Sequence, residues 1–201
     1  MLQTTLCYLE RDDHYLMLHR IKKEEDVNAG KWIGVGGKFE RNEAPEDCLI
    51  REVYEETGLI LKGFHFRGIL TFIYDEKEPE YIFTYTADDF VPAYELMEHR
   101  FSEEELELMS ENLPEVRTAR AIMAAGGSGA VSTEEIPMNE GVLKWVPKTE
   151  IEQLELWEGD RYLLRKLFEE SDRPFSLKLI YDKNDALIEA YELSDGIRKL
   201  K

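Results

Sequence analysis

Residues 37–59 read GKFERNEAPEDCLIREVYEETGL. From Pro45 to Thr57 the run holds no glycine, and its apolar residues Cys48, Leu49, Val53 and Tyr54 recur at helical spacing, which predicts a helix with one buried face. Pro45 suits a first turn, and Gly58 follows where a C-terminal glycine belongs. On that helix Glu52, Glu55 and Glu56 stand at i, i+3 and i+4, so three carboxylates share one face. Like charges so spaced destabilise a bare helix by about a few tenths of a kcal/mol per pair. A divalent cation among them would reverse that penalty. Hard carboxylate oxygens suit Mg²⁺ or Mn²⁺, which keep several waters and bridge to phosphates. An acidic run alone is ordinarily a solvated helix face. Arg51 is expected to pair with Glu43 or with one of the glutamates.

Upstream, Gly34-Val35-Gly36-Gly37-Lys38 can bring backbone close to a phosphate or a metal, because no Cβ stands in the way. Gly37, Glu43 and Arg51-Glu52-Val53-Tyr54-Glu55-Glu56-Thr57-Gly58-Leu59 together fill the pattern G-x5-E-x7-R-E-U-x-E-E-x-G-U, where U is aliphatic. On these residues the chain resembles the Nudix hydrolases, which cleave nucleoside diphosphates linked to another moiety. The resemblance implies an α/β/α sandwich around a mixed sheet. It also implies Mg²⁺, or Mn²⁺ in its place, held by Glu52, Glu55, Glu56 and the Gly36 carbonyl. Catalytic roles fall to Arg51, Glu52 and Glu56, and Lys38 is counted among the substrate-binding residues.

Length and composition set the frame. A chain of 201 residues can bury one good core, with room for an insertion. No run approaches about 18 apolar residues, so no membrane span is expected. The start, MLQTTLCYLERDD, lacks the basic and apolar regions of a signal peptide. Cys7 and Cys48 lie in apolar patterns and read as buried free thiols of a reducing, cytoplasmic setting. With 43 acidic against 25 basic residues the net charge is −18, which repels nucleic-acid polymers. A small nucleotide carried with Mg²⁺ can still enter a local pocket, so the expected partner is a free nucleotide.

Strands are expected over 2–9 and 14–20 around an Arg11-Asp12-Asp13 turn, and over 64–72 and 80–86 as a hairpin. A polar loop, 22–31, leads to Trp32-Ile33. Further on come a strand over 142–146, a helix over 160–169 and a hairpin of 175–181 with 186–193. The class is α+β, a single domain over 1–201. Residues 93–139 break the pattern and read as a partly helical insertion between sheet strands. Ser102 with Glu105 caps an acidic helix to Asn112, a second helix is expected over 115–125, and Gly126-Gly127-Ser128-Gly129 is a spacer. No Lys-Ser/Thr follows those glycines, so they are not a P-loop. This segment is expected chiefly as an excursion into solvent, with a lid or a dimer contact as alternatives; the chain is taken as a monomer or homodimer.

The C-terminal third bears on the substrate. Lys144-Trp145-Val146-Pro147 followed by Leu154-Glu155-Leu156-Trp157-Glu158-Gly159-Asp160-Arg161-Tyr162 resembles the MutT-like nucleoside triphosphate diphosphatases, above all those that sanitise oxidised purine nucleotides. The resemblance places Trp157 as the residue stacking on the purine and Asp160 as a hydrogen-bonding partner of the base. It makes Glu140, five residues before Trp145, a further metal ligand that polarises the attacking water. Two positions depart from that pattern. Ile33 stands where an Asn contacts the base edge, and Gly159 stands in place of the first of two adjacent Asp. A lost hydrogen bond in a desolvated pocket is worth about 1–3 kcal/mol. Trp157 as a core residue and Asp160 as a helix N-cap are the structural alternatives. Trp32 and Trp145 read more often as core than as site residues, and Trp32, beside the glycine loop, is a candidate wall of the pocket. His14, His19, His65 and His99 share no metal spacing and read as structural or surface residues. Other diphosphates, such as ADP-ribose or a dinucleotide, form the alternative enzyme class. A non-catalytic ligand sensor is the non-enzyme reading, against which every box carboxylate is retained.

Overall fold

The computed structural model describes residues 1–21, 27–97, 101–126, 131–169, 171 and 173–201. His99, half of the 22–31 loop and most of the glycine spacer therefore lie outside the described residues. Chain order begins with β1 (Leu2–Arg11) and β2 (His14–Arg20), joined by a two-residue turn. Asp12 and Asp13 take φ of 47° and 59° there, both left-handed as a type I′ hairpin turn requires. β3 (Trp32–Ile33) and the glycine loop then lead into α1 (Pro45–Thr57), which keeps the limits its sequence predicts. The Asp47 carboxylate accepts the Ala44 N–H at its start. Gly58 ends it at φ 70°, where a Cβ would stand 2.1 Å from the Glu115 carbonyl oxygen.

β4 (Leu59–Tyr74) and β5 (Glu80–Pro92) form a longer hairpin than the alternation suggests. After them come α2 (Glu103–Asn112), α3 (Pro114–Ala125), β6 (Ile136–Pro137) and β7 (Gly141–Pro147). The chain closes with α4 (Asp160–Phe168), β8 (Phe175–Tyr181), β9 (Leu187–Glu192) and β10 (Arg198–Lys199). The strands make one mixed sheet in the order β10-β9-β8-β4-β5-β1-β2-β7-β6, with β3 on β2. The β1–β5 and β4–β8 pairs are parallel and the others antiparallel.

Alternation on β1 separates two cores. Cys7 and Leu9 face Leu49 and Val53 of α1 and Ala119 and Ile122 of α3. Leu6 and Tyr8 face Leu163, Leu164 and Leu167 of α4. Helices thus cover both faces of the sheet, the expected α/β/α arrangement. Both cysteines are buried free thiols. No helix among the described residues is long and apolar enough to cross a membrane.

One expectation fails at α3. Val116, Ala119 and Ile122 are buried, the last two in one cluster with Cys7, Leu9 and Trp145 of the sheet, and the Trp145 indole N–H donates to the Ile122 carbonyl at 3.2 Å. Burying side chains such as Val116 and Ile122 is worth about 1.5–3 kcal/mol each, so α3 is part of the core and not an excursion into solvent. Only α2 keeps that character: Leu106 alone is buried, and Ser102 with Glu105 forms the expected reciprocal cap.

Candidate active site

Arg51 organises the acidic side of the site. Its Nε and Nη2 donate to the Glu43 carboxylate at 2.7 and 3.0 Å, and Nη1 donates to Glu52 at 2.8 Å and Glu55 at 3.1 Å. Nη2 also reaches the Lys38 carbonyl at 3.0 Å, which ties helix to glycine loop. The fork holds the Glu43 carboxyl down to about 2. Glu52 moves the other way, since burial raises it against the pull of Arg51. Burial also pushes Glu56 up to about 8, despite the Gly36 N–H that donates to it at 3.0 Å; the charges of Glu140 and Glu52 push in the same direction. Glu140, just before β7, is ion-paired with Arg20 on β2.

Glu52, Glu55, Glu56 and Glu140 line a cavity of about 1200 Å³, together with Gly36, Lys38 and Arg20. Among the described residues no group of three acidic, His or Cys side chains is placed to hold a metal ion; Arg51 binds Glu52 and Glu55, the Gly36 N–H binds Glu56, and Arg20 pairs with Glu140. In kind the donors fit a hard divalent cation. They are carboxylates whose charges raise one another's proton affinity on top of the effect of burial, and a cation among them would relieve that repulsion.

The cavity continues to an aromatic side lined by Tyr8, Phe72, Tyr74 and Trp157, with Asp160 at the start of α4. Trp157 is 4% exposed. Its indole N–H donates to Asn28 Oδ1 at 2.9 Å, and Phe72, Tyr74 and Tyr181 pack edge-on to it at 5.6, 6.0 and 5.0 Å. The Asp160 carboxylate accepts the Trp157 backbone N–H at 3.3 Å, and burial pushes its carboxyl up to about 7. At Gly159 a Cβ would lie 2.3 Å from Leu179 and 2.6 Å from the Tyr181 hydroxyl, which accepts the Gly159 N–H. The packing beneath Gly159 leaves no space for a second acid.

The NUDIX domain family profile matches residues 2–124. The chain belongs to the Nudix family. Among curated Nudix relatives, it is 34% identical over 94 residues to the uncharacterized Nudix hydrolase YvcI of Bacillus subtilis, a match spanning 44% of this chain and 54% of that protein. It is 31% identical over 91 residues to mouse diphosphoinositol polyphosphate phosphohydrolase 3-alpha, spanning 45% and 52%. Against mouse oxidized purine nucleoside triphosphate hydrolase it is 40% identical over 50 residues, spanning 25% and 32%. The matches thus cover about half the length of the first two relatives, and less of the third. The fold is also that of the MutT protein of Bacillus halodurans, with a TM-score of 0.64, 21% identity and coverage of 96% of this chain and 97% of that one.

Within this Nudix site three expectations change. Trp32 is not a wall of the cavity: its ring stacks on His19 at 4.5 Å and its backbone N–H donates to the Glu155 carbonyl, so it belongs to the core. Ile33 and Lys38 do line the cavity. Arg51 does not, and acts by placing Glu43, Glu52 and Glu55. Asp160 is the first helical residue and not the N-cap, which is Gly159; its carboxylate turns back to Trp157. Sequence reasoning missed Arg20, Asn28, Tyr8, Phe72 and Tyr74 as lining residues. Period-two alternation on β1 and β4 held the signal for the last three, since Tyr8, Phe72 and Tyr74 share the parity that faces α4.

Asp160 also has a consequence for stability. Its folded pKa lies above the unfolded value, so between about pH 4 and about pH 7 the folded protein keeps a proton that the unfolded chain has lost. Stability therefore falls as pH rises through that window, by up to about 4 kcal/mol, and flattens above it. Asp160→Asn removes this slope. Urea midpoints near pH 5 and near pH 8 should show the variant gaining on the parent at the higher pH.

Proposed function

We propose that the chain hydrolyses purine nucleoside triphosphates with Mg²⁺, oxidised purines among them, to the monophosphate and pyrophosphate, as a step in nucleotide-pool sanitation. The observation that carries this reading is one cavity that joins the carboxylates of α1 and Glu140 to the aromatic side with Trp157 and Asp160. Trp157 offers a face for a base, and Asp160, near half-protonated at neutral pH, offers both a donor and an acceptor to its edge. Ile33 adds an apolar side chain to the lining.

Glu52, Glu55, Glu56, Glu140 and the Gly36 carbonyl would hold Mg²⁺ or Mn²⁺. When bound, such an ion neutralises phosphate charge and makes water a stronger nucleophile. Arg51 keeps Glu52 and Glu55 in place, and Lys38 and Arg20 are cations at the phosphate side. Either Glu52 or Glu140 takes the proton from the attacking water, since both face the cavity.

Charge argues against a highly phosphorylated inositol substrate. Among the described residues the cavity is lined by seven carboxylates and three cations, Arg20, Lys38 and Lys77. A net charge of −18 argues equally against nucleic-acid polymers. The second reading is hydrolysis of ADP-ribose or a dinucleotide.

The test is product release with Mg²⁺ from 8-oxo-dGTP, dGTP, dATP, dCTP, ADP-ribose and a dinucleoside polyphosphate. A higher kcat/KM on the purine triphosphates, with pyrophosphate as product, is expected. Preference for ADP-ribose or the dinucleotide would overturn the triphosphate reading. No turnover on any member would favour a ligand sensor.

A further inference from the structure

Tyr74 is the last residue of β4, and its ring lines the aromatic side of the cavity. A side chain at a strand end has backbone support on one side only, so something else must fix its rotamer. The ring stacks on Phe72 at 6.3 Å, meets Trp157 edge-on at 6.0 Å and carries the Lys77 ammonium 4.6 Å from its centroid. Its hydroxyl points away from these contacts, donating to Asp185 Oδ1 at 2.6 Å with the Lys183 carbonyl at 3.4 Å.

Asp185 is itself held. It sits at φ 63° in the turn between β8 and β9, and its N–H donates to the Asp182 carbonyl at 3.3 Å. The Asp182 carboxylate accepts the N–H groups of Asn184 and Ala186 at 2.8 and 3.0 Å, closing the turn from within. A further bond, Asp75 N–H to the Tyr181 carbonyl at 2.8 Å, ties the end of β4 to β8. The bond to Asp185 keeps Tyr74 a donor, raising its phenol above the ordinary value.

We propose that Asp185 is a positioning residue for base recognition: it anchors the Tyr74 hydroxyl, and so sets the ring that walls the nucleotide base beside Trp157. The inference rests on the purine-binding reading of this cavity. The Tyr74–Asp185 hydrogen bond is exposed to solvent, where such a bond adds little to folding but selects one rotamer. Its loss should therefore appear in base binding and leave the fold alone.

The test measures Kd for dGMP by isothermal titration calorimetry, and kcat and KM for dGTP with Mg²⁺. The variants are Asp185→Gly, Asp185→Asn, Tyr74→Phe, the Asp185→Gly/Tyr74→Phe pair and Trp157→Ala. Glycine and asparagine both tolerate the left-handed backbone at this position, and only asparagine keeps an oxygen acceptor for the Tyr74 hydroxyl. Asp185→Gly and Tyr74→Phe should each raise the Kd about three- to tenfold. The pair should be no worse than either single change. Asp185→Asn should stay near the parent, and Asp185→Gly should raise KM with little change in kcat.

A parent-like Kd for Asp185→Gly while Trp157→Ala weakens dGMP would overturn the positioning role alone. Additive single changes, or an Asp185→Asn as weak as the glycine variant, would do the same. Should Trp157→Ala also leave the Kd unchanged, the base-binding reading falls and this inference with it.

Discussion

Glu56→Gln should lower kcat by about a hundredfold or more while the protein stays folded, because on the proposed function it removes a metal ligand and with it several kcal/mol of charge stabilisation at the phosphate. The fold tolerates the change for a reason visible in the site. Burial keeps the Glu56 carboxyl largely protonated near neutral pH, and a neutral amide of the same length can still accept the Gly36 N–H. The metal-free variant should therefore melt within a few degrees of the parent below about pH 4.5, and gain on it as pH rises from there to about 8, since the folded parent must hold a proton that the unfolded chain has lost. Steady-state kinetics on the best substrate of the panel, with melting curves in chelator, check both halves. Parent-like kcat would sink the assignment of Glu56 to the metal.

Gly36→Ala is expected to act through shape. The residue has φ 153°, and an added Cβ would stand 2.2 Å from the Thr5 carbonyl oxygen. That oxygen belongs to β1 at the point where the glycine loop runs beside it, with the Thr5 N–H donating to the Gly37 carbonyl at 2.8 Å. The loop must retreat from β1, and it takes along the N–H that holds Glu56. A displacement of about 1 Å at reacting groups is worth about a hundredfold in rate. kcat/KM should fall by that order, with a lower urea midpoint as well. An alanine variant with unchanged activity would show that the loop has slack the packing does not suggest.

Much of this was legible along the chain. The 45–57 helix, its terminal glycine and the carboxylates on one face follow from local spacing, and the structure keeps all of them. Ser102 and Glu105 announced their cap in the same way, since a cap involves residues three apart. The Asp12-Asp13 turn is equally local. Readings that failed depended on partners distant in sequence. α3 carries a modest apolar stripe that suits either a solvated helix or a buried one, and only the sheet with Trp145 beneath it decides. Trp32 borders the glycine loop in sequence, yet β2 brings His19 across its face and removes it from the cavity.

The same division holds at the site. Sequence by itself determined the chemistry on offer: three carboxylates on one helix face, an arginine to restrain them and a glycine loop before them. Helix geometry sets those relations over a few residues, so spacing alone conveys them. Tertiary structure decided the company they keep. β2 and the start of β7 bring Arg20 and Glu140 together at the acids. The pleat of β1 and β4 turns Tyr8, Phe72 and Tyr74 to one side, and the β8–β9 hairpin supplies Tyr181 and Asp185 from more than a hundred residues away. Burial then raises Glu56 and Asp160. Desolvation depends on what packs around a carboxylate, and that is a property of the folded chain.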